Sequence, residues 1–295
     1  MPEPSPIRPF EVLFDHAEPS ALDDNAYAPY GNFGFPSPPS DRPWIYSNFV
    51  QSLDGITTLL GEHGSGGEIS QSREDRWLMD LLRAHADGIL MGVNTLLEEQ
   101  RSRGPQSRGI VFQVADPKLR ELRQKLGKGR ERNIFVTHAM DLDLSRLRVF
   151  DGDVVDAAIL TSPAGAARLR AQDARTHVTI IAAGEGESFS LPPAIRMLRE
   201  DVGVQHLLCE GGPTLYGNLA RADLIDEKFM TVSPVGLSTS MVRNQRPQWG
   251  GSKLPPSRSR VTGWRLPRSV TWAKYGSSVT WPVGAAGSTG ESGVS

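Results

Sequence analysis

Three short segments of this chain carry residue types that chemistry needs. In Glu210-Gly211-Gly212-Pro213-Thr214-Leu215 a carboxylate precedes two glycines, which let the backbone come close to a ligand. Pro213 suits the first turn of a helix, where its missing N–H is not needed. The free N–H groups of such a helix start, together with the helix dipole, favour a pyrophosphate. Read plainly, the same residues are a tight strand-to-helix turn with a surface carboxylate. A second junction joins Gly88-Ile89-Leu90-Met91-Gly92 to Val93-Asn94-Thr95-Leu96-Leu97-Glu98. Thr95 and Glu98 have the spacing of a capping box, which accounts for both residues and is compatible with an anion-binding helix start. The third segment, Ser52-Leu53-Asp54-Gly55, follows an aromatic strand; Asp-Gly is a common turn, and Asp54 is also a carboxylate available at a pocket mouth.

Other chemistries are poorly served. Gly184 and Gly186 give G-x-G, but Phe189 stands where a third glycine belongs and no Walker lysine occurs, so neither general nucleotide loop is present. His16-Ala17-Glu18 is the first half of the zinc nucleobase-deaminase signature; its second half, P-C-x-x-C, cannot be built around the single cysteine, Cys209. His63, His85, His138, His177 and His206 show no ligand spacing, and no metal is expected. The basic stretch from Arg101 to Arg132 contains one aromatic, Phe112, too few for base stacking. It reads as a solvated face with room for a contact to a substrate or cofactor phosphate.

The elements that must position these junctions follow from patterning. A chain of 295 residues with 38% hydrophobic side chains can bury a sizeable core in one large domain or two small ones. A formal net charge of -2 gives no pull toward nucleic acid or an anionic membrane, so a small molecule is the default partner. No apolar run approaches the roughly 20 residues of a membrane helix, and Met1–Phe10 has prolines and charges where a signal peptide would be apolar, so a cytoplasmic protein is expected. Short aliphatic runs alternate with helix-period segments, the pattern of an α/β fold on a mostly parallel sheet with helices on both faces. The strands expected are Trp44–Val50, Gly88–Gly92, Ile134–Thr137, Ala157–Thr161, Val178–Ala182, His206–Cys209 and Lys228–Ser233. Helices are expected over Ser72–His85, with Ser72 and Asp75 as a capping box and Trp77, Leu78, Leu81 and Leu82 on one face, and over Ala194–Glu200 and Thr214–Ala222. Residues 1–41 read as a proline-rich, extended arm, 42–283 as a single domain and 284–295 as a disordered Gly/Ser-rich tail. Beyond Ser233 a long loop leads to a C-terminal antiparallel hairpin turning at Lys274-Tyr275-Gly276. In a parallel sheet ligands bind beyond the carboxyl ends of the strands, where all three junctions lie.

Taken in order, several pieces resemble one family, the reductase domain of the bifunctional riboflavin deaminase-reductases and its stand-alone relatives, the pyrimidine reductases. They are Arg42-Pro43-Trp44 leading to Asn48-Phe49-Val50-Gln51-Ser52-Leu53-Asp54-Gly55, Leu82-Arg83-Ala84-His85-Ala86-Asp87 with Gly92-Val93-Asn94-Thr95, Ala183-Gly184-Glu185-Gly186-Glu187, Leu208 through Leu215, and Ala222-Asp223-Leu224-Ile225-Asp226-Glu227. The resemblance runs from about residue 20 to about residue 235. It implies a dihydrofolate-reductase-like fold, a homodimer, NADPH as cofactor, and a phosphorylated pyrimidine as substrate. The reaction implied is hydride transfer to C1′ of a phosphoribosylamino-pyrimidine, giving the ribitylamino form. Cofactor contacts carry over onto Gly92, Thr95, Glu99 and Thr137 and onto Gly211, Gly212, Pro213, Thr214 and Leu215, the junction continuing to Asn218. Substrate contacts carry over onto Asn48, Ser52, Arg83, for the phosphate, and Glu210, with Asp54 and Glu210 as the catalytic pair.

The chain departs from the family pattern at two places. Glu98-Glu99-Gln100 stands where an acidic pair followed by proline is usual, which makes Glu99 the counterpart of the cofactor-binding aspartate only by position. Asn48 stands where the bifunctional enzymes usually carry lysine and stand-alone relatives often carry asparagine, so the identity of the pyrimidine stays open. A dihydrofolate or other pterin reductase of the same fold is the alternative reading, and a catalytically silent nucleotide-binding paralogue is another, motivated by Arg243-Asn244-Gln245-Arg246 and Trp249.

Overall fold

The structure, a computed structural model, describes residues 7–14, 24–31, 33–57, 66–104, 106–138, 142–172, 177–236, 259–265 and 271–277. The expected tail at 284–295, His16–Glu18, His63, Arg243–Arg246 and Trp249 lie outside them. In chain order the strands are β1 (Glu11–Phe14), β2 (Trp44–Gln51), β3 (Gly88–Gly92), β4 (Arg132–Val136), β5 (Asp156–Thr161), β6 (Val178–Ala182), β7 (Gly184–Glu185), β8 (Ser188–Phe189), β9 (His206–Gly211), β10 (Glu227–Val232), β11 (Ser259–Arg265) and β12 (Thr271–Ser277). The α-helices are α1 (Gly66–Ser70), α2 (Arg73–His85), α3 (Val93–Ser102), α4 (Pro117–Lys125), α5 (Pro163–Gln172), α6 (Leu191–Glu200) and α7 (Pro213–Arg221).

Among the described residues the main sheet has ten strands in the order β1-β11-β12-β10-β2-β9-β3-β4-β5-β6. The seven from β10 to β6 are parallel, each reached through a crossover connection, which carries an α-helix in every case except β4 to β5, where the link has only short 3-10 turns. Alternation along each strand sends successive side chains to opposite faces. Tyr46, Ile89, Phe135 and Leu208 join a cluster with Trp77, Leu78, Leu81 and Leu82 of α2 and Leu119 and Leu122 of α4. Their chain neighbours Ile45, Leu90, Ile134 and Leu207 pack with Ala194, Ile195 and Leu198 of α6 and Leu215 and Leu219 of α7. A parallel sheet covered on both faces explains why β3 and β5 are apolar along nearly their whole length.

The expected strands and helices are present, with shifted ends. Helix α6 begins at Leu191 rather than Ala194 because Pro192 and Pro193 are accommodated in its first turn. At α2, Ser72 Oγ accepts a hydrogen bond from Asp75 N at 3.2 Å, half of the expected box. The Asp75 carboxylate turns instead to β10, accepting from Thr231 Oγ1 at 2.8 Å. The Thr95–Glu98 box does not form: α3 starts at Val93, so Thr95 lies inside the first turn and Gly92 is the N-cap, with no side-chain capping bond. The C-terminal hairpin is present as β11 and β12, but Lys274-Tyr275-Gly276 lies within β12, paired with Thr262 and Val261 on one side and with Phe229, Lys228 and Glu227 on the other. A glycine flanked by strand formers reads as a turn in sequence, yet an interior strand can hold it when both neighbours pair through it. The N-terminal segment is tied in closely. Phe10, Tyr27, Tyr30 and Phe33 belong to the buried cluster on the α2 face, and Arg8 pairs with Glu74 at 2.9 Å.

Candidate active site

Two of the three strand-end junctions, those after β3 and β9, converge on one cleft of about 580 Å³, and the third, Ser52–Gly55, is not among its lining residues. This is within the range of small-molecule sites. One wall is the turn from β3 into α3, with Gly92, Asn94 and Thr95; the opposite wall is the turn from β9 into α7, with Gly212, Pro213, Thr214 and Leu215. Val136, Thr137 and His138, at the end of β4, and Phe189 of β8 line it further.

Two helix N-termini therefore open onto the same space, and both have glycine N-caps without a side-chain bond to the first-turn N–H groups. Those N–H groups are the orphan donors that a capped helix would satisfy internally. With the dipoles of α3 and α7, they make a site for a doubly anionic ligand such as a pyrophosphate. The close approach depends on glycine. Gly211 has φ of +142°, and a Cβ built on Gly212 would lie 3.3 Å from Thr95 Oγ1, so any larger residue enters the gap between the two helix starts.

The other candidate residues are not among those that line this cleft. Glu210, one residue before Gly211, projects to the α2 side of the sheet, as Leu208 does two residues earlier. It forms a side-on bidentate pair with Arg83 of α2, Nε donating to Oε1 at 2.6 Å and Nη2 to Oε2 at 2.7 Å. At the carboxyl end of β2, Ser52 Oγ donates to Asp54 Oδ1 at 2.5 Å and accepts from Ile56 N at 2.9 Å, closing the Ser52–Ile56 turn. Asp54 is exposed at its tip, whereas Ser52 is fully buried. Asn48, within β2, has a buried Oδ1 without a hydrogen-bond partner among the described residues.

Gly92, Thr95, Thr137, Gly212, Pro213, Thr214 and Leu215 thus line one cleft, with Gly211 adjoining. Glu99 is not among the lining residues and lies 3.8 Å from Arg103 on its own helix, while Glu98 faces the cleft. Asn94, Leu97 and Glu98 all line the cleft, the i, i+3, i+4 spacing of one helix face, a signal that could have chosen Glu98. His138 and Phe189 carried no spacing signal and are placed only by the fold. Behind α7 lies another group with no motif. Lys228 of β10 is buried, with Nζ 5.3 Å from the centroid of the Tyr216 ring, and burial pushes its pKa down to about 7. Among the described residues no group of three or more His, Cys, Asp or Glu could hold a metal ion, and no helix is long and apolar enough to cross a membrane.

The family model described as the RibD C-terminal domain matches residues 43–242. The chain belongs to this family. A curated relative, 2,5-diamino-6-ribosylamino-4(3H)-pyrimidinone 5′-phosphate reductase of Archaeoglobus fulgidus, is 28% identical over 195 residues, 66% of this chain and 81% of the relative. The riboflavin biosynthesis protein RibD of Aquifex aeolicus is 23% identical over the same share of this chain but only 47% of its own length. Among solved structures, a pyrimidine reductase-like protein of Corynebacterium diphtheriae superposes with a TM-score of 0.62 at 22% identity, covering 80% of this chain and 92% of that one. The chain therefore shares the fold of that structure, the expected mostly parallel sheet between helices, with an antiparallel addition at the β10 edge.

Proposed function

We propose that this chain is an NADPH-dependent reductase of riboflavin biosynthesis, converting a phosphoribosylamino-pyrimidine to its ribitylamino form. The observation that carries the reading is the pair of helix starts at α3 and α7, each with a glycine N-cap and no side-chain capping bond, facing one another across Thr95 Oγ1, the second preceded on β9 by a carboxylate. The donor set fits a dinucleotide: first-turn N–H groups, the Thr95 hydroxyl and the Thr137 hydroxyl are all donors on the cleft side. Gly92, Thr95, Thr137 and Gly211 through Leu215 would hold the cofactor, and Glu99, which the resemblance adds, is not among the lining residues whereas Glu98 is. When bound, the reduced nicotinamide supplies the hydride that goes to C1′ of the sugar.

The protein's own contribution is orientation and electrostatics. Glu210, fixed by Arg83, and Asp54, at the end of β2, hold the amine and sugar hydroxyls of the substrate from the α2 side and the β2 turn. Asn48 adds an acceptor toward the pyrimidine, and Ser52 sets the turn that presents Asp54. The resemblance adds a homodimer to this reading and the composition a cytoplasmic location.

The test is complementation of a strain lacking the riboflavin reductase step. Growth without added riboflavin is expected. No growth, together with oxidation of NADPH by dihydrofolate or another pterin in the purified protein, would replace this reading by that of a pterin reductase, and tight NADPH binding with no turnover would leave a silent paralogue.

A further inference from the structure

We infer that Arg168 of α5 is the residue by which the cleft tells a 2′-phosphorylated adenosine from an unphosphorylated one, exchanging Glu187 for the phosphate, an assignment that rests on the reductase reading above. A dinucleotide whose pyrophosphate lies between Thr95 and Gly212 has its two halves on either side of the gap between the β9 and β3 ends. Asn48 is on β2 and Ser52 and Asp54 follow it, on the β9 side of that gap. The nicotinamide, which must reach the substrate, points that way. The adenosine then lies over the ends of β4 and β5.

The surroundings there suit a purine. Leu142 belongs to the cluster on the α2 face, Phe189 packs against the cluster on the α6 and α7 face, and both line the cleft. An aromatic ring and an aliphatic side chain from opposite sides can hold a base by its faces. A 2′-phosphate needs a cation as well. No lysine or arginine is among the described residues that line the cleft, and Glu98 adds a negative charge to it.

The cation beside this end is Arg168. Its Nη2 donates to the backbone oxygen of His138, a lining residue, at 3.2 Å. A Cβ built on Gly165 would lie 3.2 Å from the same oxygen, so the first turn of α5 packs directly against the end of β4. Ala164 N of that turn donates to Gly186 O at 3.0 Å, which ties in the hairpin of β7 and β8. The end of β4, the start of α5 and this hairpin therefore make one corner, with the guanidinium inside it.

The partner that Arg168 has in this corner is replaceable. Nη1 and Nη2 donate to the two Glu187 carboxylate oxygens at 2.7 and 2.8 Å, but the Glu187 side chain, at the hairpin turn, is 69% exposed. An ion pair so open to water is weak. A phosphate offers the same planar fork two oxygens and a larger charge. Arg168 Nε is buried without a hydrogen-bond partner among the described residues, so the fork has a donor still unused. An adenosine with a free 2′-hydroxyl offers no such exchange and leaves the Arg168–Glu187 pair intact.

The test is calorimetric titration of the full chain with NADPH, NADH, adenosine 2′,5′-bisphosphate and 5′-AMP, for wild type, R168Q and E187Q. Wild type should bind each 2′-phosphorylated ligand at least roughly tenfold tighter than its counterpart, the scale of one bidentate charge-assisted contact. R168Q should lose that preference while its affinity for NADH and AMP stays within about twofold of wild type. E187Q, which removes the competing carboxylate, should tighten NADPH and the bisphosphate and leave NADH unchanged. An equal loss for both cofactors in R168Q would reveal a structural role, and an undiminished preference would put the phosphate elsewhere; either overturns the inference. If R168Q does not fold in a thermal melt, E187Q decides, and an unchanged NADPH affinity there counts against Arg168. A wild type that binds neither cofactor removes the cofactor reading and this inference with it, whereas one that binds NADPH and NADH alike overturns this inference alone.

Discussion

Replacing Gly212 by alanine and by valine tests the cleft most sharply. The backbone there, φ −85° and ψ −176°, is open to any residue, so the substitutions act through the added atoms. The alanine Cβ would sit 3.3 Å from Thr95 Oγ1, which must give by a few tenths of an ångström, and valine adds two methyl groups in the same gap. Overfilling a packed position costs about 1–3 kcal/mol. Here the added atoms stand where a phosphate oxygen has to come within about 2.9 Å of the α7 N–H groups, so most of that cost falls on the bound state. At about 1.4 kcal/mol per tenfold, Gly212→Ala should weaken NADPH roughly tenfold and Gly212→Val roughly a hundredfold. The assay is an NADPH titration followed by protein fluorescence or calorimetry, with a thermal melt of each apo variant as the control for folding. A folded Gly212→Val protein that binds NADPH within about twofold of wild type would refute the placement of the cofactor between α3 and α7.

Two further outcomes concern stability. Phe33 is buried, with ring centroids 5.1 Å from Tyr30, 5.2 Å from Phe35 and 5.0 Å from His85. Phe33→Ala should therefore cost about 3–5 kcal/mol, seen as a fall in the denaturant midpoint, and a loss below about 1 kcal/mol would show that the N-terminal segment does not help build the core. Lys228 gives a pH signature. Its folded pKa, about 7, is below the ordinary lysine value of 10.5, so the unfolded chain binds the extra proton between these values and stability rises with pH across that window. Lys228→Met should flatten the rise and raise Tm most at pH 7 and below; an unchanged pH profile of Tm would contradict the burial of its charge.

The parts of the site that were legible in sequence are those encoded locally. A β-branched or aliphatic run ending in Gly-Gly-Pro, or in Gly followed by a helix-period segment, states both where a strand ends and which way its helix points, and this located Gly92, Thr95 and Gly211–Leu215. What local patterning missed was decided by partners distant in the chain. Arg83 and Glu210 are 127 residues apart, and nothing near either one announces the pair. The Thr95–Glu98 spacing suggested a cap, but spacing is indifferent to where the helix starts, and starting α3 at Val93 releases Thr95 to face Gly212. Phe10, Tyr27, Tyr30 and Phe33 have no helix or strand period, so proline-rich composition hid the aromatic cluster they form against α2. Gly276 misplaced the hairpin turn because a glycine inside a strand is invisible without its neighbours' pairing.

The central claim is tested most directly by incubating the purified protein with NADPH and 2,5-diamino-6-ribosylamino-4(3H)-pyrimidinone 5′-phosphate or its uracil counterpart, following reduced-cofactor absorbance and identifying the product by mass. Stoichiometric oxidation of NADPH with a gain of two hydrogens in one of these pyrimidines is the expected result. No oxidation with either, by a folded protein shown to bind NADPH, would contradict it.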